Sequence, residues 1–263
     1  MKLVSTVKLQ RARAGAERSQ TYFDCMYDTV NNILSRVGHL EHKYLVPGAC
    51  PKKAVIVITS NRGLAGGYNS NVAKLITGQE DWKTEDVVVY AIGNKGREIL
   101  ERKGYTVKES YPEVIEEPAY AEAMLLSDKL LTSFAAGEIG EIYLAYTHFK
   151  NTVSHEPKLL KLLPVEYDAE ADVSTEGADA LMNFEPEDSE ALDMIIPKYI
   201  SSLIYGALME AAASENGARM QAMDNATSNA EDMISDLSLK YNRARQGSIT
   251  QELTEIIAGA EAL

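Results

Sequence analysis

Apolar and small residues recur at helical spacing through the C-terminal part of the chain. Ile200, Ile204, Ala207, Ala211, Ala218, Ala222, Ala226, Ala230, Met233, Leu237, Tyr241 and Ala244 stand three, four or seven residues apart. So narrow and small a stripe, with polar residues on the other faces, is the pattern of a coiled-coil seam. No proline follows Pro197, which permits unbroken helix beyond it, and the whole helix is expected from about Pro186 to Gly259. Its length would be about 100 Å at the usual rise, more than a domain of this size needs, and it is expected to project. A one-striped helix needs a partner. Residues 1–46 also lack proline, and Val4, Val7, Ala12, Ala16, Tyr22, Met26, Val30, Ile33, Leu34 and Val37 keep a helical period. The two flanks are expected to pair antiparallel, closed by the domain between them; a homodimeric coiled coil is the alternative.

Between the flanks the period changes. Strand-like runs fall at 54–59, 87–93, 105–110, 141–149 and 158–165, with helix-like segments at 69–77, 94–104 and 118–137. Alternation of strand and helix implies a partly parallel sheet with crossover helices. The last two strands are joined by "KNTVSHEP", which suits a hairpin and an antiparallel edge. The expected fold is α/β: a long antiparallel coiled coil of N- and C-terminal helices plus a Rossmann-like domain. The segments are 1–46 for the N-terminal helix, 51–170 for the α/β domain and 187–259 for the long C-terminal helix.

Composition narrows the function. The 263 residues are 45% hydrophobic, enough for a sizeable core. The net charge of −13 disfavours nucleic acid and anionic membranes as partners. Residues 1–20 run against that average, with Lys2, Lys8, Arg11, Arg13 and Arg18 against Glu17 alone. They make either a solvated helix face or a positive collar for an acidic partner. Cys25 and Cys50 supply no disulfide framework or metal-ligand spacing and fit a reducing cytosol. Apolar runs of about five residues are too short to span a bilayer.

The stretch "ITSNRGLAGGYNSNV" places Gly63, Gly66 and Gly67 directly after the first strand, where a phosphate loop would start. A Walker loop would need a lysine and a hydroxyl in register, and Tyr68 and Asn69 stand there instead. The spacing also fails the dinucleotide fingerprint, and no acidic residue follows the second strand to hold a ribose. The three glycines are therefore expected to shape a turn, and no cofactor is expected. His39 and His42 beside Glu41 form a metal pair without a third ligand, or plain surface residues. No catalytic or metal-binding set emerges.

Three blocks carry a resemblance: "MKLVSTVKLQRAR", the glycine turn, and the C-terminal run that includes "YNRARQGSITQELTEI". Together they resemble the gamma subunit of the F-type ATP synthase, bacterial type, over the whole chain. The resemblance implies a non-catalytic central shaft. Its terminal helices would stand inside the hexameric ring of alpha and beta subunits. Its α/β domain would meet the epsilon subunit and the c-subunit ring, and rotation driven by ion flow would be passed to the ring. Arg219, Arg245, Gln246, Thr250 and Glu252 match positions associated with ring contact or shaft coupling; for Arg219 and Glu252 a plain solvated charge is the alternative. Met182, Phe184 and Glu185 fall in the region near the c ring, where "MNFEP" departs from a more aromatic pattern.

Family members usually begin about two dozen residues earlier, roughly six helical turns, and Met1 is expected to be a misassigned start. Localisation follows the resemblance: peripheral, on the cytoplasmic side of a bacterial plasma membrane, with membrane contact only through the complex. Two other functions compete: a nucleotide-binding α/β enzyme built on the glycine turn, and a free coiled-coil scaffold.

Overall fold

A computed structural model describes residues 5–15, 25–26, 29–30, 42–151, 154–165 and 188–261. Met182, Phe184, Glu185 and His39 lie outside the described residues. The chain divides into two units, residues 1–220 and 221–263.

In the first unit a five-stranded sheet holds β1 (Lys53–Ile58), β2 (Val87–Ile92), β3 (Thr106–Ser110), β4 (Glu141–Phe149) and β5 (His155–Leu163). The strand order is β3-β2-β1-β4-β5. The first four strands are parallel and β5 is antiparallel to β4. The helices are α1 (residues 5–15), α2 (Tyr68–Thr77), α3 (Asn94–Arg102), α4 (Tyr120–Ala135) and α5 (Asp188–Glu261).

β1 reads as an unbroken apolar run because both of its faces are covered. Ala54, Ile56 and Ile58 pack into a core shared with α4 and the lower part of α5. Val55 and Val57 pack on the other face, against Val72, Ala73 and Ile76 of α2 and Leu100 of α3. The α/β expectation and its antiparallel edge are both met. β5 starts three residues earlier than the hydrophobic run, since His155 pairs with Phe149 across the hairpin. Pro157 is tolerated there because β5 is an edge strand.

α5 runs 74 residues with Pro197 inside it. The proline has no N–H for the Asp193 carbonyl, a local cost of about 3 kcal/mol. Leu192, Ile196 and Ile200 around it are fully buried, and three such side chains supply more than that cost, at about 1.5–3 kcal/mol each.

α1 lies antiparallel to α5: the Thr6 hydroxyl reaches the Met220 sulfur at 3.4 Å, while a side chain at Gly15 would strike Met209. The stripe expected for α1 needs correction. Val7 is exposed, whereas Ser5 and Leu9 are buried and Ala12 is half-buried. Ala12 stays on the seam while Leu9 takes the place expected of Val7, a shift that the mixed small and apolar residues of "STVKLQRARAG" could not distinguish. Val30 is buried in the core of α4 and α5.

The second unit is the helical segment 221–261. Its large apolar side chains, including Met233, Leu237, Tyr241, Leu253 and Ile256, are 49–68% exposed.

Candidate functional site

In a sheet of this order, a ligand crevice opens outside the carboxyl ends of β1 and β4, where successive connections leave in opposite directions. The chain fills that position with itself. The Tyr68 hydroxyl, at the start of α2, donates to the Ala211 carbonyl at 3.1 Å. The Ser214 hydroxyl donates to the Thr147 carbonyl at the end of β4, at 3.2 Å. His148 Nδ1 meets Glu210 at 2.5 Å. Arg219 Nη2 donates to the Arg62 carbonyl at 3.4 Å. Residues 210 and 214 thus face β4, while 211 and 219 face the loop after β1, as two adjacent rows of one helix would.

Tyr68 is buried, and burial drives its hydroxyl well above the ordinary tyrosine range; Glu215 pushes the same way and Arg219 opposes both. The Glu215 carboxyl is also raised, because burial outweighs the pull of Arg219 bonded to it at 2.7 Å.

The N-terminus of α3, after β2, is occupied as well. A helix N-terminus binds phosphate through its free N–H groups. At α3 three of these are already taken. Asn94 N–H donates to the Asn61 side-chain oxygen at 3.2 Å, and Gly96 N–H to Thr59 Oγ1 at 2.8 Å. Lys95 N–H donates to the Ser60 carbonyl at 3.0 Å. Gly96 fits because a Cβ there would press on Thr59, and Gly93 is needed because its φ of 92° and a clash with the Thr59 carbonyl exclude a side chain.

The glycine turn has the shape expected of a turn. Gly66 has φ 57°, and Gly67 is the N-cap of α2. Gly63 has open space around it. Sequence reasoning missed Leu64, which carries φ 64° and is 66% exposed. An L-residue held in that region implies constraint from its surroundings. Ser60 and Asn69 bond to each other, and Asn61 reaches the Pro112 carbonyl at 2.6 Å, fastening the turn to the strand ends.

Of the five residues matched to ring contact, Arg219 is set apart. Its side chain is 15% exposed and turned inward, so the solvated-charge alternative fails for it. Arg245, Gln246, Thr250 and Glu252 are exposed on the second unit. Thr250 returns its hydroxyl to the Gln246 carbonyl at 2.8 Å. His42 serves structure: its Nε2 meets Asp193 at 3.2 Å, and Lys43 meets the same carboxylate at 2.8 Å. Among the described residues no group of three or more metal-ligating side chains occurs, and no helix is long and apolar enough to cross a membrane.

The α/β domain thus has its crevice closed by α5, and that helix carries exposed apolar side chains further along. A family model described as ATP synthase matches residues 1–263. The chain is 62% identical over 268 residues to the ATP synthase gamma chain of Lachnoclostridium phytofermentans, covering 100% of this chain and 92% of that one. Identity is 42% to the gamma chain of Alkaliphilus metalliredigens, with 100% and 91% covered. It is 37% to the Acetobacterium woodii gamma chain named as sodium ion specific, with 100% and 92% covered. In fold the chain is similar to a chain of the Euglena gracilis mitochondrial ATP synthase structure of OSCP, F1 and c-ring. The TM-score is 0.61 at 16% identity, with 99% of this chain and 94% of that one covered. A chain of the Tetrahymena thermophila central stalk and c-ring gives 0.58 at 22% identity, with 85% and 99% covered. This chain belongs to the gamma-chain family of ATP synthases, the rotor subunits of the central stalk and not the catalytic ones.

Proposed function

We infer that this chain couples ion-driven rotation of a c ring to ATP synthesis and hydrolysis at sites on alpha and beta subunits. The observation that carries this reading is the exposed row on residues 221–261, where Met233, Leu237 and Tyr241 are 64–68% exposed. Side chains of that size on one helix call for a surrounding apolar surface. A ring of subunits supplies a sleeve in which the helix can turn, because apolar contacts are non-directional and impose no fixed register. Polar residues near the tip act differently. Arg245, Gln246, Thr250 and Glu252 catch the ring at defined angles through directional hydrogen bonds. The α/β domain meets epsilon and the c ring, with Met182, Phe184 and Glu185 near the latter. The complex sits peripherally on the cytoplasmic face of a bacterial plasma membrane. Nucleotides bind the ring and not this chain, whose own crevice is filled by α5.

The test is made on native membranes. A complex purified through a tag on this chain is expected to contain alpha, beta, epsilon and c subunits and to pump ions when given ATP. Repeating the pumping assay with and without sodium, and with a protonophore, identifies the ion. Arg245→Ala and Thr250→Ala are expected to lower ions moved per ATP hydrolysed. Purification of this chain without alpha and beta partners would refute the rotor role, and recovery as a dimer of itself would favour a free coiled-coil scaffold.

A further inference from the structure

Two ties hold the loop after β1 to α5, and they are spaced along it. Tyr68 bonds the Ala211 carbonyl, and the Arg62 carbonyl accepts from Arg219. These α5 positions are two helical turns apart, about 12 Å along the axis. Two separated contacts resist tilting of the loop about the helix, whereas one contact is a pivot. The second tie depends on Arg219 alone. Its Nη2 carries two N–H bonds, one directed to Glu215 at 2.7 Å and the other to the Arg62 carbonyl at 3.4 Å. Glu215, 14% exposed, fixes the guanidinium in place. The Arg62 carbonyl is itself held from the sheet side, by the Ser60 hydroxyl at 2.6 Å. A continuous chain of bonds therefore leads from the end of β1, through Ser60 and Arg62, to Arg219 on α5. Lys8 of α1 and Glu116 also act electrostatically on Glu215, so both helices of the pair and the segment before α4 converge here.

We propose that Arg219 is a positioning residue for torque transfer: shared between Glu215 and the Arg62 carbonyl, it locks the loop at 60–67 to α5 and fixes the rotational setting of the α/β domain on the helix pair. The proposal rests on the rotor reading for its function and gives Arg219 an internal contact instead of one with the ring. The shared core and the contacts of Ser214 and Glu210 with β4 seat the sheet on α5, while the loop after β1 is held by this bond and the Tyr68 bond. Without Arg219 the loop keeps only its Tyr68 end, and the part of the torque that passes through it is lost.

The test uses the complete membrane complex carrying Arg219→Lys, and separately Glu215→Leu with Arg219→Met. Lysine keeps a charge on Glu215 but loses the planar guanidinium that serves two acceptors. The double variant leaves no unpaired buried charge, and such apolar replacements commonly preserve folding. Hydrogen exchange at the Gly63 to Gly66 amides is expected to rise about tenfold in both, the factor for losing one charge-assisted hydrogen bond. The ions pumped per ATP hydrolysed are expected to fall in both. A purely structural ion pair would be rescued by the apolar double variant on both readouts, which overturns the proposal. Unchanged loop exchange shows that Arg219 is no tether and overturns it too. Faster exchange with an unchanged pumping ratio overturns the coupling role while the rotor reading stands. Failure of the unsubstituted complex to pump ions counts against the rotor reading itself, and the exchange result then judges the tether alone.

Discussion

Replacing Tyr68 by phenylalanine removes a single oxygen from the junction between the α/β domain and α5. The side chain is 4% exposed, so water does not substitute for the lost bond. The Ala211 carbonyl keeps its ordinary helical partner four residues on, so no acceptor is orphaned. The expected loss is about 1 kcal/mol, the net worth of one neutral hydrogen bond. For a unit of this size that lowers the melting temperature by roughly 2–4 °C. Tyr68→Ala also empties the space beneath the loop, and the expected loss rises to about 3–5 kcal/mol. The assay is urea unfolding of the full chain followed by Trp82, its 1 tryptophan, whose ring packs tilted against Tyr143 at 4.7 Å in the α/β domain. Alkaline pH gives a second arm. The folded state holds the Tyr68 proton more tightly than the unfolded chain does. Its contribution is therefore complete below the unfolded value of about 10 and is lost as pH rises beyond it. The difference between the native and phenylalanine chains should shrink in that window. If Tyr68→Phe is neutral while Tyr68→Ala is severe, the hydroxyl does not bond α5 and the two-tie joint is wrong. If the two substitutions cost the same, the ring contributes nothing and the packing account fails.

Three further outcomes are expected. Glu141 is pushed up by its burial, but Lys53 and Lys161 outweigh that and leave its pKa lowered; stability is present above about pH 4.5 and falls as pH drops through the folded value. Glu141→Gln should remove that acid sensitivity and cost about 1–2 kcal/mol at neutral pH, read from urea midpoints against pH. Gly93→Ala places a Cβ on the Thr59 carbonyl at a positive φ; a loss of about 3 kcal/mol or more is expected, and a shift in the thermal midpoint below about 3 °C would contradict it. Leu237, 64% exposed, should tolerate aspartate in the free chain within about 0.5 kcal/mol yet lose assembly with alpha and beta subunits, measured by co-purification.

The central strands β1 and β2 were legible because burial on both faces leaves little room for polar residues: "AVIVI" in β1 could hardly be anything else. The turn chemistry of Gly66 was legible for a similar reason, since only its backbone was at stake. The seam of α1 was less so, because it turns on whether Val7 or Leu9 faces inward, a rotation that local spacing does not fix. The junction was hidden. Nothing in "AAASENGARM" says that Ser214 will meet a carbonyl of β4 or that Arg219 will turn inward, since those partners lie 67 and 157 residues away. The family match pointed to Arg219 as a position that matters, and its partners became visible only with the three-dimensional arrangement. Leu64 ran against propensity, as residues held by their surroundings do.

The exposed row on residues 221–261 also bears on how the cell must make this protein. A newly synthesised chain without companions displays Met233, Ile234, Leu237, Tyr241, Leu253 and Ile256 on one helix, each at least 55% exposed. Such a surface invites chaperones, proteases and self-association alike. Supply of this chain is therefore best matched to that of its companions, and a surplus should be short-lived. Its abundance would then report completed assemblies more faithfully than its own rate of translation.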